Sequence, residues 1–590
     1  MRSILRAVLL ASLLAPGAAR AAVTITLDHP YTQMQVGGGR TLQYTATVSG
    51  TANQGVIWQV DNAIGGAAAS GTVSKTGLYT VPSAVPVPAI ATVTAVSKAD
   101  PTVSATAVIT LMSHGATGST YYVAPGGHDG DSGAIGAPWA TIQHAADTAG
   151  PGDTVFVRQG VYNEHVHLTK PGNASGYITF AAYPGETPVV DGTGLDIPDN
   201  MWGLFTFDNV GWVIVEGFEI RNYTTSRLVD APIGIFLQGA GANDQVIGNR
   251  IHDITTTATT NPTKCGSNAF GMTVYGTKFP DAIDGLAVAG NEIFHTKTGC
   301  SETLSLDGNV TNWAVVSNAV HDADNIAIGA IGFERVAKNE AYDQARAGVI
   351  RGNTIYNITS FGNPDYGSQY AADGIYVDGG TNIVIEQNRI HDVDLGIEIA
   401  SEHGGHTSSY VSARNNLVYA GNSAGISIGG YGAARGGTDH VAVVGNTLYQ
   451  NDTKNTGSGE FQIQFNATNN LFENNIVVAG PQGLLVNDFT MSTPDPAALD
   501  YNLYFSGGVQ KFTWQKHKYT SYASYRTGTG LDAHSPGFLD PQFTTDFDVA
   551  LTSPATDAGL VLSGAVGGTH DFAGNKRVLA GKVDIGAYEK

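Results

Sequence analysis

Short apolar stretches alternate with polar, glycine-rich turns along most of the chain, and one turn pattern recurs. It consists of an asparagine, any residue, an aliphatic residue, and then an aromatic residue or histidine. The copies are NRIH at Asn249, NEIF at Asn291, NAVH at Asn318, NTIY at Asn353, NRIH at Asn388, NLVY at Asn416 and NTLY at Asn446, with a weaker copy, NIVV, at Asn475. They lie 27 to 42 residues apart, which is typical of a repeat architecture with loops of variable length.

One repeat is too short to bury an apolar core by itself, so consecutive repeats must stack as coils. Stacked parallel strands place equivalent side chains about 4.8 Å apart. The recurring asparagines can then hydrogen-bond to their copies in the coils above and below. The pattern therefore predicts an all-β fold, a right-handed parallel β-helix, over residues 120–590.

The chain before the repeats follows a different pattern. Residues 22–112 contain alternating stretches such as TLQYTATVSG and ATVTAVSKAD, which predict a small β-sandwich. The stretch GTVSKTGLYTVPSA, together with ATVTAVSKADPTVSATAVITL, resembles the bacterial immunoglobulin-like domains appended to secreted and surface proteins. That resemblance implies a spacer or a weak binding unit, and we favour a passive spacer. Residues 113–119, SHGATGS, predict a flexible linker.

The first 21 residues have the pattern of a signal peptide. Arg2 and Arg6 supply positive charge, residues 4–14 are apolar, and Ala19 and Ala21 form a small-x-small cleavage site. The apolar stretch is too short to span a bilayer, and no later stretch is long enough. We expect a bacterial protein that is secreted or periplasmic and cleaved near Ala21.

Two further stretches point to a family. Residues 121–166, from YYVAPGG to VYNEHV, predict a helix at roughly 140–148 and a strand at 154–158. This stretch resembles the opening cap of secreted, pectate-lyase-like β-helix enzymes and their glycoside-hydrolase relatives. The C-terminal stretch HDFAGNKRVLAGKVDIGAYEK resembles the end of such proteins, and we interpret it as part of the last coils or cap. The resemblance implies a carbohydrate-active enzyme with a substrate groove on one face.

A second strand precedes each asparagine strand, and its outward positions carry the candidate chemistry. Aligned on their inward aliphatics, these strands read GIFL, GMTV, TLSL, NIAI, GIYV, GIEI, GISI and EFQI. Strand alternation turns the third residue, and the residue after the motif, outward. One outward column is then Phe236, Thr273, Ser305, Ala327, Tyr376, Glu398, Ser427 and Gln462. The other is Gln238, Tyr275, Asp307, Gly329, Asp378, Ala400, Gly429 and Gln464.

Carboxylates collect on the middle coils of this face. Asp378 and Glu398 are separated by one coil and two residues, which corresponds to roughly 8 Å between their backbones. Carboxyl groups about 6.5–9.5 Å apart leave room for the water that an inverting glycosidase uses. The predicted catalytic residues are therefore Glu398, Asp378 and Tyr376, which lies directly below Glu398.

Four long loops, residues 332–348, 360–374, 401–410 and 429–439, border the same face. Inserted loops on one side of a solenoid often form its binding surface. The expected substrate-binding residues are Asp307, Asp373, Glu402, His403, Arg346, Arg435 and Tyr431. Asp373 ends one loop, and we place it at the rim of the groove as a turn cap or an additional acid.

Other polar residues have structural explanations. His252, His321 and His391 share their repeat position with phenylalanine and tyrosine, so a flat ring is what the position requires. The aspartate after each of them, Asp253, Asp322 and Asp392, fits a turn. Cys265 and Cys300 are expected to form a disulfide rather than a metal site.

Three functions stay open from the sequence. A glycoside hydrolase would use the carboxylates of Asp378 and Glu398 and would require no cofactor. A polysaccharide lyase would need a base, and the available residues are Tyr376, Lys297, Lys338, Arg346 and His403. It could also use calcium, with Asp322, Asp324, Asp392 and Asp394 as candidate ligands. Neither outward column contains lysine or arginine, which favours hydrolysis. The third function is a non-catalytic carbohydrate binder or adhesin.

Charge limits the partners. The net charge is −21 and no basic run occurs, which argues against nucleic acid and anionic membranes as partners. A strongly polyanionic ligand is disfavoured for the same reason, although a local basic pocket stays compatible with the sequence. We expect a monomer that binds a polysaccharide or oligosaccharide.

Overall fold

The computed structural model describes residues 22–113, 118–258 and 265–590. The predicted signal peptide and most of the predicted linker lie outside the described residues. Within the described ranges, no helix is long and apolar enough to cross a membrane.

Three parallel sheets wind around a shared core from Thr120 onward, so the predicted parallel β-helix is confirmed. In the described part of the chain, 13 strands form the groove sheet: Val166–Leu168, Met201–Asp208, Ala231–Gln238, Phe270–Gly276, Leu304–Gly308, Ile328–Ile331, Asp373–Asp378, Leu395–Ala400, Ile426–Ile428, Phe461–Ile463, Leu484–Asp488, Lys511–Trp514 and His517–Tyr519. The last of these is antiparallel to its neighbour.

The second sheet, the ring sheet, also has 13 strands among the described residues: Val161–Tyr162, Val189–Asp191, Glu219–Thr225, Arg250–Thr256, Glu292–Thr296, Ala319–Ala323, Thr354–Ile358, Arg389–Val393, Leu417–Tyr419, Thr447–Tyr449, Ile476–Ala479, Leu503–Ser506 and Gly537–Phe538.

The third sheet, the back sheet, has 19 strands in the described ranges: Thr120–Val123, Thr154–Val157, Ile178–Ala182, Val213–Glu216, Gly241–Ala242, Gln245–Ile247, Ile283–Asp284, Ala287–Ala289, Val310–Thr311, Ala314–Val316, Arg346–Arg351, Thr381–Glu386, Thr407–Ser409, Ser412–Arg414, Gly437–Asp439, Ala442–Val444, Ala467–Thr468, Asn470–Glu473 and Ala497–Asp500.

Aliphatic stacks fill the interior between these sheets. On the groove sheet, Leu304, Ile328, Ile375, Ile397 and Ile426 are successive register partners, and all five are fully buried. Burial of one such side chain contributes about 1.5–3 kcal/mol. Because alternate residues enter this core, the residues between them face outward and build the groove.

The predicted asparagine ladder is present at the turns that lead into the ring sheet. Asn353 donates its side-chain N–H to Asn388 Oδ1 at 2.9 Å, and Asn388 donates to Asn416 Oδ1 at 2.9 Å. The same bond joins each member to the next along the series Asn249, Asn291, Asn318, Asn353, Asn388, Asn416, Asn446, Asn475 and Asn502. The ladder keeps a polar turn satisfied inside the solenoid.

The aromatic position of the repeat forms a stack on the ring sheet. The ring centroids of His321 and Tyr356 are 4.6 Å apart, and those of His391 and Tyr419 are 4.9 Å apart, with nearly parallel planes. This arrangement confirms that the position requires a flat ring. The aspartate that follows has a left-handed backbone, as at Asp392 with φ 52°, and its carboxylate contacts the preceding imidazole.

The N-terminal module consists of antiparallel sheets formed by Thr24–Leu27, Tyr31–Gln35, Thr41–Gln43, Ala46–Ser49, Val56–Val60, Ala63–Ile64, Gly66–Ala67, Gly71–Val73, Leu78–Thr80, Ile90–Ser97 and Ser104–Met112, with one parallel pair. It packs directly on the outer face of the back sheet, where Val108 and Met112 meet Ile214 and Ile247. Gln245 adds polar contacts, since its Oε1 accepts from Thr110 Oγ1 at 2.7 Å. The module is therefore held against the solenoid by both apolar and polar contacts, and it does not extend away from it.

The helices lie outside the coils. Ile142–Thr148 matches the expected cap helix, and Thr141 Oγ1 caps it by accepting from the His144 N–H. The other helices are Tyr522–Thr529 and Gly564–Gly567, with short 3₁₀ turns at Pro198–Asn200, Glu340–Tyr342 and Thr545–Phe547.

The C-terminal segment differs from the prediction. Instead of adding a last coil, it folds back along the side of the solenoid, where the Arg414 guanidinium bonds to the Ala565 carbonyl and Arg389 pairs with Asp546. The Ala573 carbonyl also accepts from Gln59 of the N-terminal module. The segment therefore joins the two parts of the protein.

Candidate active site

The register of the groove sheet places the predicted catalytic residues as expected, with one change below them. Tyr376 pairs with Glu398, and Asp378 pairs with Ala400. In the coil below, however, Gly329 rather than Ala327 lies beneath Tyr376. Ile326 and Ile328 both fit the alternation, and a shift of two residues leaves the inward and outward pattern unchanged. The absence of a side chain at Gly329 makes room for a neighbouring side chain beneath Tyr376.

Asp378 lies at the centre of a small network. Its carboxylate is almost fully buried and accepts the backbone N–H of Glu402 through Oδ1 at 2.7 Å. Glu402 in turn accepts the Tyr376 hydroxyl at 3.3 Å. His403 Nε2 lies 3.6 Å from Asp378 Oδ2 and 3.2 Å from Glu334 Oε1. The loop 401–410 thus fixes the orientation of Asp378 from above.

Glu398 is partly exposed to the groove, and hydrogen bonds from residues of the following coils fix its side chain. Its Oε1 accepts from Gln464 Nε2 and from Ser427 Oγ, and Gln464 also donates to Ser427 Oγ at 2.7 Å. Burial raises the pKa of Glu398 to about 7, and the charges of Glu402 and Asp378 add to the effect, against the two hydrogen bonds. At neutral pH this carboxyl group therefore has a substantial protonated fraction and can donate a proton.

Asp373 is not a rim residue, contrary to the sequence-based expectation. Its side chain is only 2% exposed, and its Oδ1 has no hydrogen-bond partner among the described residues. Burial raises the pKa of Asp373 well above its usual range, with Glu398 as the largest charge contribution. A Cβ built on Gly374 would point into the core, next to Ile390. The side chain of the preceding residue, Asp373, is therefore directed toward the groove and not toward the loop 360–374.

Two more acids extend the cluster below Tyr376. Glu302 was not predicted, and its side chain covers Gly329, since a Cβ built there would lie 3.1 Å from Glu302 Cγ. Burial raises the pKa of Glu302 to about 7, and the charges of Glu334 and Asp378 contribute. Asp307 is buried in the preceding coil, and burial and the charge of Glu302 raise its pKa well above the usual range.

The remaining predicted residues divide into two groups. Arg435 and Tyr431 are close to the site, because the guanidinium contacts the Glu402 carbonyl at 3.4 Å and lies 4.6 Å above the Tyr431 ring. Arg346 is not part of this cluster. It belongs to the back sheet, where it donates to Asn309 Oδ1 at 2.8 Å and to the Gln344 carbonyl.

Sequence reasoning missed Glu302, Glu334, Ser427 and Gln464 as site residues. Ser427 and Gln464 were already in the outward columns, so their proximity to Glu398 was available as a signal. Glu302 directly precedes the aligned motif TLSL, and only the small residue at Gly329 creates the space that it fills. Glu334 reaches the site from the loop 332–348, which was expected to border the groove, but the pattern did not single out this residue.

The ligand sets considered for calcium are incomplete. Among the described residues, one group brings together three side chains of the types that ligate metals: Glu334, Asp378 and His403. Their ligand atoms lie within 4.8 Å of one another. Calcium takes roughly six to eight oxygen ligands, so two carboxylates and an imidazole do not fit it. The four aspartates considered for calcium have other partners: Asp322 bonds to His321, Asp324 to Thr298, Asp392 to His391 and Asp394 to Ser360.

The fold and the acidic groove define the class of the protein. Residues 121–281 match a family model described as the Pel9A-like, right handed beta helix region. The solenoid is a right-handed parallel β-helix, and its first coils are similar to that family's region. The structure of pectate lyase Pel9A is 14% identical, covers 81% of this chain and 97% of its own, and has a TM-score of 0.43.

The particular family follows from a longer match. The chain is 34% identical over 446 residues to the uncharacterized protein YwoF of Bacillus subtilis (strain 168), covering 74% of this chain and 92% of that protein. It therefore belongs to the family of YwoF. Pectate lyase PEL9 of Emericella nidulans is 31% identical over 125 residues, which cover 21% of this chain and 30% of PEL9.

Proposed function

We propose that this protein is a glycoside hydrolase that cleaves a polysaccharide or oligosaccharide in the groove. One observation carries the proposal: Glu398, a partly exposed carboxyl group with a pKa raised to about 7, lies one coil from the fixed carboxylate of Asp378. Glycosidases need a pair of carboxyl groups with separate roles, one that donates a proton and one that is ionised.

Glu398 is the general acid. Its proton passes to the glycosidic oxygen while the bond to the anomeric carbon breaks, and the leaving sugar departs as a neutral hydroxyl. Asp378 is the carboxylate that accepts a proton from the attacking water. The Glu402 N–H donates to its Oδ1 and His403 Nε2 lies 3.6 Å from its Oδ2, while burial raises the pKa of the Tyr376 hydroxyl and keeps it protonated as a donor.

The groove also supplies groups for holding a sugar. The exposed Tyr431 ring under Arg435 offers a face for stacking, whereas the buried Asp373 acts on the groove through its charge interaction with Glu398. The predicted signal peptide and the Cys265–Cys300 disulfide support a location outside the cytoplasm.

The alternative is a polysaccharide lyase, supported by the sequence match to pectate lyase PEL9. Elimination requires a base that is deprotonated at neutral pH. Burial and four neighbouring acids raise the pKa of Tyr376 well above its usual range, and Asp378 and its neighbouring acids raise the pKa of His403. These shifts favour the protonated forms of two of the five candidate bases, which favours hydrolysis. A calcium requirement would belong to the lyase alternative only.

A panel of neutral and acidic polysaccharides, with reducing-end and ultraviolet readouts, tests the proposal. A hydrolase produces reducing ends without the absorbance of an unsaturated uronate, and a chelator leaves the rate unchanged. Absorbance that depends on calcium would establish the lyase instead. Binding without turnover across the panel would point to a carbohydrate-binding protein and overturn the proposal.

A further inference from the structure

A second cavity opens on the groove sheet, beyond the carboxylates. It has a volume of about 760 Å³, comparable with the 710 Å³ of the cavity beside His403, and opens between the last strands of the sheet. Its polar lining includes Gln462, Asn487, Thr513, Lys511, Lys516 and Lys518, and its ring-bearing lining consists of Phe489, Phe512 and Tyr519. We call it the lysine pocket.

The lysine pocket is in line with the proposed active site. Glu398 pairs with Ser427, which is followed in register by Gln462, Asn487 and Thr513. Each step between coils is about 4.8 Å, so four steps separate Glu398 from Thr513 by roughly 19 Å. One extended ligand lying along the groove can therefore reach both places.

Three lysines lie within eight residues of one another in this acidic protein. All three side chains are exposed, and none has an ion pair within 4.0 Å among the described residues. The segment 511–518, KFTWQKHK, contains no acid, although no continuous basic run occurs in the chain. The neighbouring Asp488 is buried, and its carboxylate accepts backbone N–H groups of Thr490 and Gln515 instead.

The two ends of the groove have opposite electrostatic character. The end that holds Glu398 contains Asp373, Asp378, Glu402 and Glu302; those that ionise would repel an anionic sugar, and those that stay protonated offer it no counter-charge. The lysine pocket favours an anion, because unpaired ammonium groups bind carboxylate, sulfate and phosphate by charge-assisted hydrogen bonds. A chain that is charged at every sugar suits only one end of the groove.

We infer that the lysine pocket binds an anionic substituent of the glycan, while uncharged sugars occupy the carboxylate end. This inference rests on the proposed hydrolase function and specifies its substrate as a glycan with localised negative charge. The shared chemistry is a single carboxylate, sulfate or phosphate carried about four coils from the bond that is cleaved. Aromatic side chains such as Tyr519 can stack on the sugar that carries it.

Site-resolved lysine acylation, read by mass spectrometry on the full chain, tests the pocket without requiring turnover. Sodium glucuronate, glucose 6-sulfate and glucose 6-phosphate serve as probes, with glucose and sodium chloride of equal ionic strength as controls. We expect at least one anionic sugar to protect Lys511, Lys516 and Lys518, while Lys75 in the N-terminal module is unaffected. The probe that protects best identifies the anionic group.

Matched variants give the affinity. Replacing the three lysines together (Lys511→Gln, Lys516→Gln, Lys518→Gln) should weaken binding of the best probe by about tenfold or more, and Lys75→Gln should leave it unchanged. Equal protection by glucose or by sodium chloride, or unchanged affinity in the triple variant, would overturn the inference. Protection and affinity are measured without turnover, so both still test the lysine pocket if the hydrolase proposal fails.

A second readout tests the localised charge. Polygalacturonate, which is charged at every sugar, should be neither cleaved nor bound more tightly than a neutral chain with one anionic end group. Cleavage of polygalacturonate would overturn the inference even where the lysines are protected. If no glycan is cleaved but the anionic sugars still protect the three lysines, the pocket stands and the hydrolase proposal fails.

Discussion

Replacing Glu398 by glutamine should remove activity and raise stability at the same time. Glutamine has nearly the same shape and keeps an oxygen that can accept from Gln464 and Ser427. It lacks the proton that the proposed mechanism transfers to the leaving sugar. Because general acid catalysis contributes typically 10²–10⁴-fold, we expect turnover to fall by about that factor.

The stability change follows from the pKa of the same group. The pKa of Glu398 rises from 4.5 to about 7 on folding, so the folded state holds the proton more tightly than the unfolded chain. This contribution is fully present below pH 4.5 and is lost as the pH rises through 7. The full difference corresponds to about 3 kcal/mol, and access of water to the groove reduces it to roughly 1–3 kcal/mol.

Urea unfolding of both proteins at pH 4.5 and pH 8 measures the effect. Glu398→Gln should match the parent at pH 4.5 and exceed its free energy of unfolding at pH 8. Glu186→Gln is a control of opposite sign, because hydrogen bonds from Arg158 lower the pKa of Glu186, so its charge stabilises the fold at pH 8.

Two results would refute this reasoning. Full turnover in Glu398→Gln would exclude Glu398 as the proton donor. A variant that is no more stable than the parent at pH 8 would show that the carboxyl group is ionised at little cost, and then burial could not be the source of its reactivity.

Three other changes have defined outcomes. Asn388→Ala removes side-chain bonds to Asn416 Oδ1 and the Ile350 carbonyl, so the free energy of unfolding in urea should fall by at least about 2 kcal/mol; an unchanged value would contradict the ladder. Tyr376→Phe removes the donor to Glu402, and kcat should fall by about tenfold with the melting temperature nearly unchanged, whereas full activity would make the hydroxyl dispensable. Gln245→Ala breaks the contact with Thr110, and limited proteolysis should then cut the N-terminal module faster than in the parent; equal rates would indicate that the apolar contact alone holds the module.

The repeat predicts most of the acidic face of the groove sheet from the sequence. Tyr376, Asp378 and Glu398 were placed correctly, because alternation determines which side chains face outward and the spacing of the asparagine turns determines which coils are neighbours. The coil at 325–331 was misaligned by two residues, since such a shift preserves the alternation. Glu302, which covers Gly329 of this coil, therefore stayed out of the predicted site. Glu334 was missed and Arg346 was wrongly included because alternation does not determine where the side chains of the loop 332–348 point.

The sequence by itself determined the β-helix, the asparagine ladder, the ring stack and the central carboxylates. These features depend on local periodicity, and stacking repeats it from coil to coil. Only the tertiary structure decided the rest: the buried position of Asp373, the loop contact of Glu402 with Asp378, the packing of the N-terminal module and the alignment of the lysine pocket with Glu398. Each of these depends on contacts between loops and segments that are distant in sequence, and the periodic pattern of the repeat does not predict such contacts.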